Sequence, residues 1–253
     1  MADDLDTKRL RELALRAAHT DVPRFTRFLE PAMLDAVRFA AGQAGVGCTF
    51  WGGYPDAERV MAAFHRGDPP EPKDFPLKSV WITWNPKFAD PGHRDLLGAA
   101  MGLGIERDAS GDIAMGEADG RPCACLFAAE EMADYIAANL ESAGRASVKC
   151  HVADEPPAIV PPEGTQLRVT VQQPRLDAVL AAGWNLSRSE AQRLISAGLV
   201  KLNHVPNLHT DAKVGEGDLI SARGHGRLKV LSWLGESRRG RLALSLFRYG
   251  GRK

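Results

Sequence analysis

Phosphate recognition is the chemistry this sequence favours, and the residue types for it are concentrated between Arg175 and Arg227. The stretch reads RLDAVLAAGWNLSRSEAQRLISAGLVKLNHVPNLHTDAKVGEGDLISARGHGR. Arg175, Arg188, Lys201, Lys213, Arg223 and Arg227 are its candidate phosphate contacts. Ser187 and Asn203 are candidate hydrogen-bonding partners. Arg188 falls at the first helical position after a capping Ser187. There the free backbone N–H groups, the helix dipole and the guanidinium would all favour an anion. A solvated arginine without a ligand is the competing reading of that residue alone. What distinguishes the stretch is the joint placement of its basic residues on outward positions of a small domain.

Two strings imitate catalytic motifs and fail on inspection. His93-Arg94-Asp95-Leu96 opens like a kinase catalytic loop, but position 100 is alanine, and no glycine-rich loop or Asp-Phe-Gly accompanies it. Gly102-Leu103-Gly104 is not a dinucleotide fingerprint, because it follows a helix and position 107 is arginine. Cys48, Cys123, Cys125 and Cys150 lack zinc-finger spacing and read as buried thiols in strands. No catalytic residue, metal site or cofactor is expected.

The elements that must position the basic residues follow from local signals. Leu176, Val179 and Leu180 give a first short helix. Ser187 and Glu190 form a capping box ahead of the stripe Ala191, Leu194 and Ile195, and Gly198 marks the stop. Val200 and Leu202 alternate with Lys201 and Asn203, as in a half-buried strand. A turn at Gly215-Glu216-Gly217-Asp218 and the strand 219–222 lead to Arg223. Residues 227–253 read as a hairpin. Arg238, Arg239 and Arg241 cluster at its tip, with Arg248, Arg252 and Lys253 at its end.

Upstream, residues 1–45 read as a helical segment with the stripe Leu10, Leu13, Ala14 and Ala17. A second helix capped by Asp21 would carry Phe25, Phe28 and Leu29. A third, opened by Pro31, would carry Leu34, Val37 and Ala41. Residues 46–153 alternate strand and helix, with Asp56 to His65 read as a helix. From Ser79 the order is strand, helix, strand, strand, helix, strand, the ferredoxin-like order shared with RRM-type RNA binders. The prolines and acids of 154–164 read as a stiff linker, and 165–253 as the RNA-binding domain with its hairpin. The fold class expected is α+β.

RLDAVL, SRSEAQRLISAGLVKLN and GDLISARG resemble the RNA-binding domain of the small-subunit ribosomal protein four. That domain also occurs in tyrosyl-tRNA synthetases and some pseudouridine synthases. The resemblance implies that Arg175, Ser187, Arg188, Lys201 and Asn203 face RNA. His204 departs from it, since many members have glycine after the asparagine. GGYPDAERV and HRDLLGAAMGLGIERDASGDI, with the terminal domain, resemble the YlmH family of bacteria over about residues 46–230. That resemblance implies a helical start, an RRM-like middle and the basic domain, on a protein associated with the large ribosomal subunit. It also implies a part in rescuing obstructed subunits that hold peptidyl-tRNA. Arg94 and Arg107 lie in the matching motif with Asp95 and Asp112. They are candidates for a second RNA contact, against a structural reading in which Asp95 pairs with Arg107.

Charge agrees with a polyanion bound at one end. The 253 residues carry no net charge, yet 165–253 holds 15 Lys/Arg against 6 Asp/Glu, and 1–164 holds 17 against 26. The start MADDLDTKRL shows no signal peptide, and the longest apolar run is too short to span a bilayer. A cytoplasmic monomer is expected, with structured RNA (large-subunit rRNA and tRNA) and the large ribosomal subunit as partners and no membrane. The function expected is non-catalytic RNA binding. The alternative is an RNA-modifying enzyme of the pseudouridine-synthase kind targeted by the same domain, although Arg175-Leu176-Asp177 follows Pro174 and belongs to the binding helix. A third possibility is an acidic middle that binds a basic ribosomal protein. Arg188→Glu is expected to weaken RNA binding and leave the fold intact.

Overall fold

The computed structural model describes residues 2–55, 57–153, 155–156, 158–159, 164–236 and 240–250. They divide into two units, Met1–Val160 and Pro161–Lys253. The fold class is α+β, with helices laid on antiparallel sheets.

The first unit starts with helix α1 (Ala2–Ala18), which buries Leu10, Ala14 and Ala17. Strand β1 (Arg24–Phe25) follows, then helix α2 (Leu34–Ala44), which buries Val37, Ala40 and Ala41 and stops at Gly45 in the left-handed region. Strands β2 (Gly47–Trp51) and β3 (Met61–His65) complete a three-stranded antiparallel sheet of order β1-β3-β2. The two helices cover one face of it through Ala62 and Phe64.

Two sequence expectations fail in this layer. The segment 56–65 was expected to be a helix; Met61–His65 is a strand, and Asp56 lies outside the described residues. Met61, Ala62, Ala63 and Phe64 are all buried, because β3 has apolar layers on both sides. A strand buried on both faces loses the period-two pattern, and Met-Ala-Ala then reads as helix. The expected helix around Phe25, Phe28 and Leu29 is also extended. Arg24 and Phe25 pair with Phe64 and Ala63, and Leu29 bridges Val60. Tertiary pairing outweighs the apolar spacing there.

The second layer is built from β4 (Leu77–Trp84), α3 (His93–Gly102), β5 (Ser110–Ala118), β6 (Arg121–Ala129), α4 (Glu130–Asn139), the short β7 (Ser142–Ala143), β8 (Ala146–Ala153) and β9 (Ala158–Ile159). Its strand order, β7-β8-β4-β6-β5-β9, contains the ferredoxin-like core β8-β4-β6-β5, all antiparallel. The β5–β6 hairpin turns on Asp119 and Gly120, both left-handed, as a two-residue primed turn requires. Helices α3 and α4 cover one face through Leu96, Ala100, Ala133 and Ile136, packed on Val80, Ile82, Leu126 and Val148.

The other face meets the first layer over β5 and β6. Phe28, Met61 and Phe75 pack on Ala114, Cys125 and Phe127. Tyr54 stacks on Phe127 with ring centroids 5.1 Å apart and an interplanar angle of 19°. Gly53 makes this approach possible: its φ is 100°, and a Cβ there would fall 2.0 Å from Phe127 Cδ1.

The second unit opens with β10 (Gly164–Val171) and the helices α5 (Leu176–Trp184) and α6 (Arg188–Ser196). Then come β11 (Val200–Leu202), β12 (Val205–Pro206), β13 (Leu219–Ala222), β14 (Gly226–Glu236) and β15 (Leu242–Tyr249). The sheet order is β10-β15-β14-β13-β11-β12. Leu176, Val179, Leu180, Ala191 and Ile195 from the helices pack on Val200, Ile220, Leu228, Val230, Leu244 and Leu246. The β14–β15 pairing slips between Val230 and Ser232, and this irregularity leaves Leu231 exposed between them.

Candidate nucleic-acid interface

Asp177 organises the helical side of the basic domain. Its side chain is fully buried at the first turn of α5. Arg175 Nε donates to its Oδ1 at 3.2 Å, Arg188 Nη2 to its Oδ2 at 2.7 Å, and Gln192 Nε2 to its Oδ2 at 3.0 Å. Burial alone would push this carboxyl up. The hydrogen bonds from Gln192, Arg188 and Arg175 outweigh it and hold the group below the ordinary carboxylate value. The two guanidiniums keep 34% and 50% of their side-chain surface in solvent, so they are anchored at one edge and available at another. Lys213 joins them, because its backbone bridges that of Arg175 and its side chain is exposed.

A second group lies on the sheet. Lys201, Ser221 and Arg227 stand opposite one another on β11, β13 and β14. Residues directly opposite share a face, so the two cations sit on the side away from Val200 and Ile220, two strand spacings, roughly 10 Å, apart. Arg227 also lies over the Tyr249 ring, 5.0 Å from its centroid. Lys229, two residues further along β14, shares this face and escaped the sequence reading. Arg223 is exposed near the β13–β14 turn.

Two polar residues expected to face RNA are engaged within the chain. Ser187 Oγ accepts from Glu190 N and donates to Glu190 Oε2, while Ser187 N donates to the same carboxylate. This is the capping box that starts α6, and its bonds lower the Glu190 carboxyl. Asn203 donates from Nδ2 to Asp218 and accepts from Leu219 N. Asn203 and His204 have φ of 49° and 69° between the paired Leu202 and Val205. His204 therefore takes the left-handed geometry usual for glycine, and the two-residue hairpin survives the departure.

The motif of the middle layer is held differently from the pairing expected. Asp95 accepts from Gly92 N at 2.9 Å and caps α3, while Arg107 donates to Ser110 Oγ at 3.2 Å. The expected Asp95–Arg107 pair is replaced because each finds a nearer partner. Asp112 accepts from Tyr54 Oη, Glu58 N and Arg59 N. The buried Arg59 donates to the carbonyls of Ser110 and Arg107. These bonds tie GGYPDAERV to SGDI across the two layers. Arg94 is exposed on α3, and Arg107 is exposed as well.

Of the four cysteines expected to be buried, Cys123 and Cys125 are, while Cys48 and Cys150 are half-buried. Burial pushes the Cys125 thiol up to about 12 and that of Cys150 to about 11, and all four cysteines are free. Among the described residues no group of three His, Cys, Asp or Glu could hold a metal ion. The tip and end residues Arg238, Arg239, Arg252 and Lys253 lie outside the described residues.

Known proteins resemble both halves of this arrangement. The family description "Putative RNA-binding domain in YlmH" matches residues 70–155, and "S4 domain" matches 174–220. A protein of Bacillus subtilis (strain 168), "Ribosome-associated protein quality control protein P2", is 36% identical over 218 residues, covering 85% of this chain and 83% of its own length. The chain belongs to the YlmH family. Among solved structures, "Cell division protein ylmH from Streptococcus pneumoniae" aligns with a TM-score of 0.48 at 23% identity, over 60% of this chain and 92% of that one. The YlmH match spans β4 to β8, and the S4 match runs from before α5 into β13, so it includes Asp177 and every residue bonded to it. Arg223 and Arg227 lie beyond it.

Proposed function

We propose that this YlmH-family chain is a non-catalytic RNA-binding protein that acts on ribosomal RNA and tRNA at the large ribosomal subunit, in quality control of stalled peptidyl-tRNA. The observation that carries the reading is the Asp177 cluster. One buried carboxylate fixes two half-exposed arginines at the start of adjacent helices, with Lys213 beside them. Such an array presents positive charge in a fixed geometry, as phosphate recognition needs. Lys201 and Arg227 extend it over the sheet, with Arg223 near the turn, while Ser187 and Asn203 shape α6 and the hairpin. Arg94 and Arg107 remain available for a weaker contact of the middle layer. The ribosomal setting is supported by the name of the Bacillus subtilis relative. No helix among the described residues is long and apolar enough to cross a membrane, and a cytoplasmic, monomeric protein accords with the proposal.

The geometry changes which variant tests this. Arg188→Glu would set a second carboxylate against Asp177, so it perturbs the fold as well as the charge. Lys201→Glu and Lys213→Glu alter exposed positions. Together they should weaken binding to purified large subunits and reduce the log–log salt slope by about 0.9 per lost duplex phosphate contact, or about 0.7 on single strands. Unchanged affinity and slope at matched salt would refute the assignment.

A further inference from the structure

The helix-free face of the middle sheet is divided between two uses. Its β5–β6 half is taken by the chain itself, where Tyr54 stacks on Phe127 as a nucleobase would. Among the described residues that layer extends onto β4 at Leu77 and the buried Ser79, but leaves the Trp81–Thr83 end of β4 and the facing part of β8 partly open. There Trp81 and His151 stand directly opposite, with ring centroids 5.4 Å apart and planes tilted by 42°. Thr83 and Lys149 form the next rung on the same face. Lys149 and His151 are exposed, and Trp81 is half-buried. Trp81 Nε1 donates to the Glu155 carbonyl at 2.8 Å, which satisfies the one polar group of the indole and pins the ring.

We propose that the strip formed by Trp81, His151 and Lys149 is a second RNA site, which stacks unpaired bases of single-stranded RNA. A pinned indole beside an exposed imidazole offers flat surface at little entropic cost, and every base has a π-face to lay on it. The Lys149 ammonium lies one rung away, within reach of the backbone phosphate of a base stacked on the rings. A protein anchor would find a poor seat: the outward positions of β8 read Ser147, Lys149 and His151, not an apolar patch. The family description matching residues 70–155 is that of an RNA-binding domain, and this strip is where the sheet can meet that description. The site shares no residue with the C-terminal basic cluster, so each can fail without the other.

The test uses the full chain carrying Lys201→Glu and Lys213→Glu, which lowers binding by the C-terminal unit. An unstructured fluorescent oligouridine is titrated by anisotropy at fixed salt. Adding Trp81→Ala should weaken the remaining affinity about fivefold to a hundredfold, the range set by loss of one base stack. Trp81→Phe should retain most of it. Because Trp81→Ala could disturb the sheet, His151→Ala and Lys149→Glu, both at exposed positions, should each weaken binding severalfold. In the unaltered chain, 4-thiouridine crosslinks should map to β4 and β8. Unchanged affinity in Trp81→Ala and His151→Ala, or crosslinks confined to the C-terminal unit, would overturn the proposal. So would loss of large-subunit binding with oligouridine affinity intact, which would assign the strip to a protein partner.

Discussion

Replacing Asp177 by asparagine keeps the side-chain shape and removes its charge. The carboxylate now accepts from two guanidiniums and one amide. Hydrogen bonds to charged groups contribute about 1.5–3 kcal/mol each. Both arginines are partly exposed, at 34% and 50%, so water replaces much of what they lose. Asparagine also turns an N–H donor toward one of them. A net loss of about 2–3 kcal/mol in the C-terminal unit follows, or about 10–20 °C in its unfolding temperature for a domain of this size. RNA affinity supplies a sharper test of sign. The variant gains one unit of positive charge, which by electrostatics alone would tighten binding and steepen its salt dependence. If Asp177 acts by fixing Arg175 and Arg188, affinity for large subunits should instead fall severalfold at a temperature where the unit is folded. Scanning calorimetry gives the first number and a salt-matched titration the second. Unfolding within a few degrees of the parent, or binding that tightens, would refute the role given to this carboxylate.

Four further outcomes are expected. Because the folded-state Asp177 carboxyl lies below its ordinary value of 3.8, its stabilising contribution is full above about pH 4 and is lost as acid titrates it below that; acid unfolding followed by circular dichroism should show this slope, and Asp177→Asn should flatten it. Gly53→Ala must place a Cβ against the buried Phe127 ring at positive φ, and should cost the first unit about 3 kcal/mol in denaturant unfolding while leaving subunit binding by the C-terminal unit unchanged. Ser187→Ala should lower stability by about 1 kcal/mol through loss of the cap, with RNA affinity at low temperature nearly intact. With its thiol raised to about 12, Cys125 should resist iodoacetamide at neutral pH in the folded protein and react only after unfolding, which peptide mass mapping would report.

Local signals made the C-terminal unit legible. Ser187 and Glu190 mark the start of α6 within four residues, and the alternation Val200-Lys201-Leu202 fixes which side faces water. Distance in sequence hid the rest. Asp177 looks like one acid in an apolar helix until α6 folds back and brings Arg188 and Gln192 to it. The rung that aligns Lys201 with Arg227 depends on the pairing of three strands. GGYPDAERV and SGDI were visible as motifs, but their mutual purpose is a set of bonds from Glu58 and Arg59 to Asp112, more than fifty residues away. Strand β3 was misread for a different reason: burial on both faces erases the pattern by which a strand is recognised.

The sheet of the second unit has a temporal side. Among the described strands β10 pairs with β15 alone, from Gly164 opposite Tyr249 to Val171 opposite Leu242. During synthesis β10 must therefore wait, unpaired along both edges, until almost the whole unit has left the exit tunnel. Its alternating exposed residues, Gln166, Arg168 and Thr170, suit a strand that spends that interval in water. A chain interrupted before Leu242 would carry both helices and most of the basic face on a sheet still open at one side.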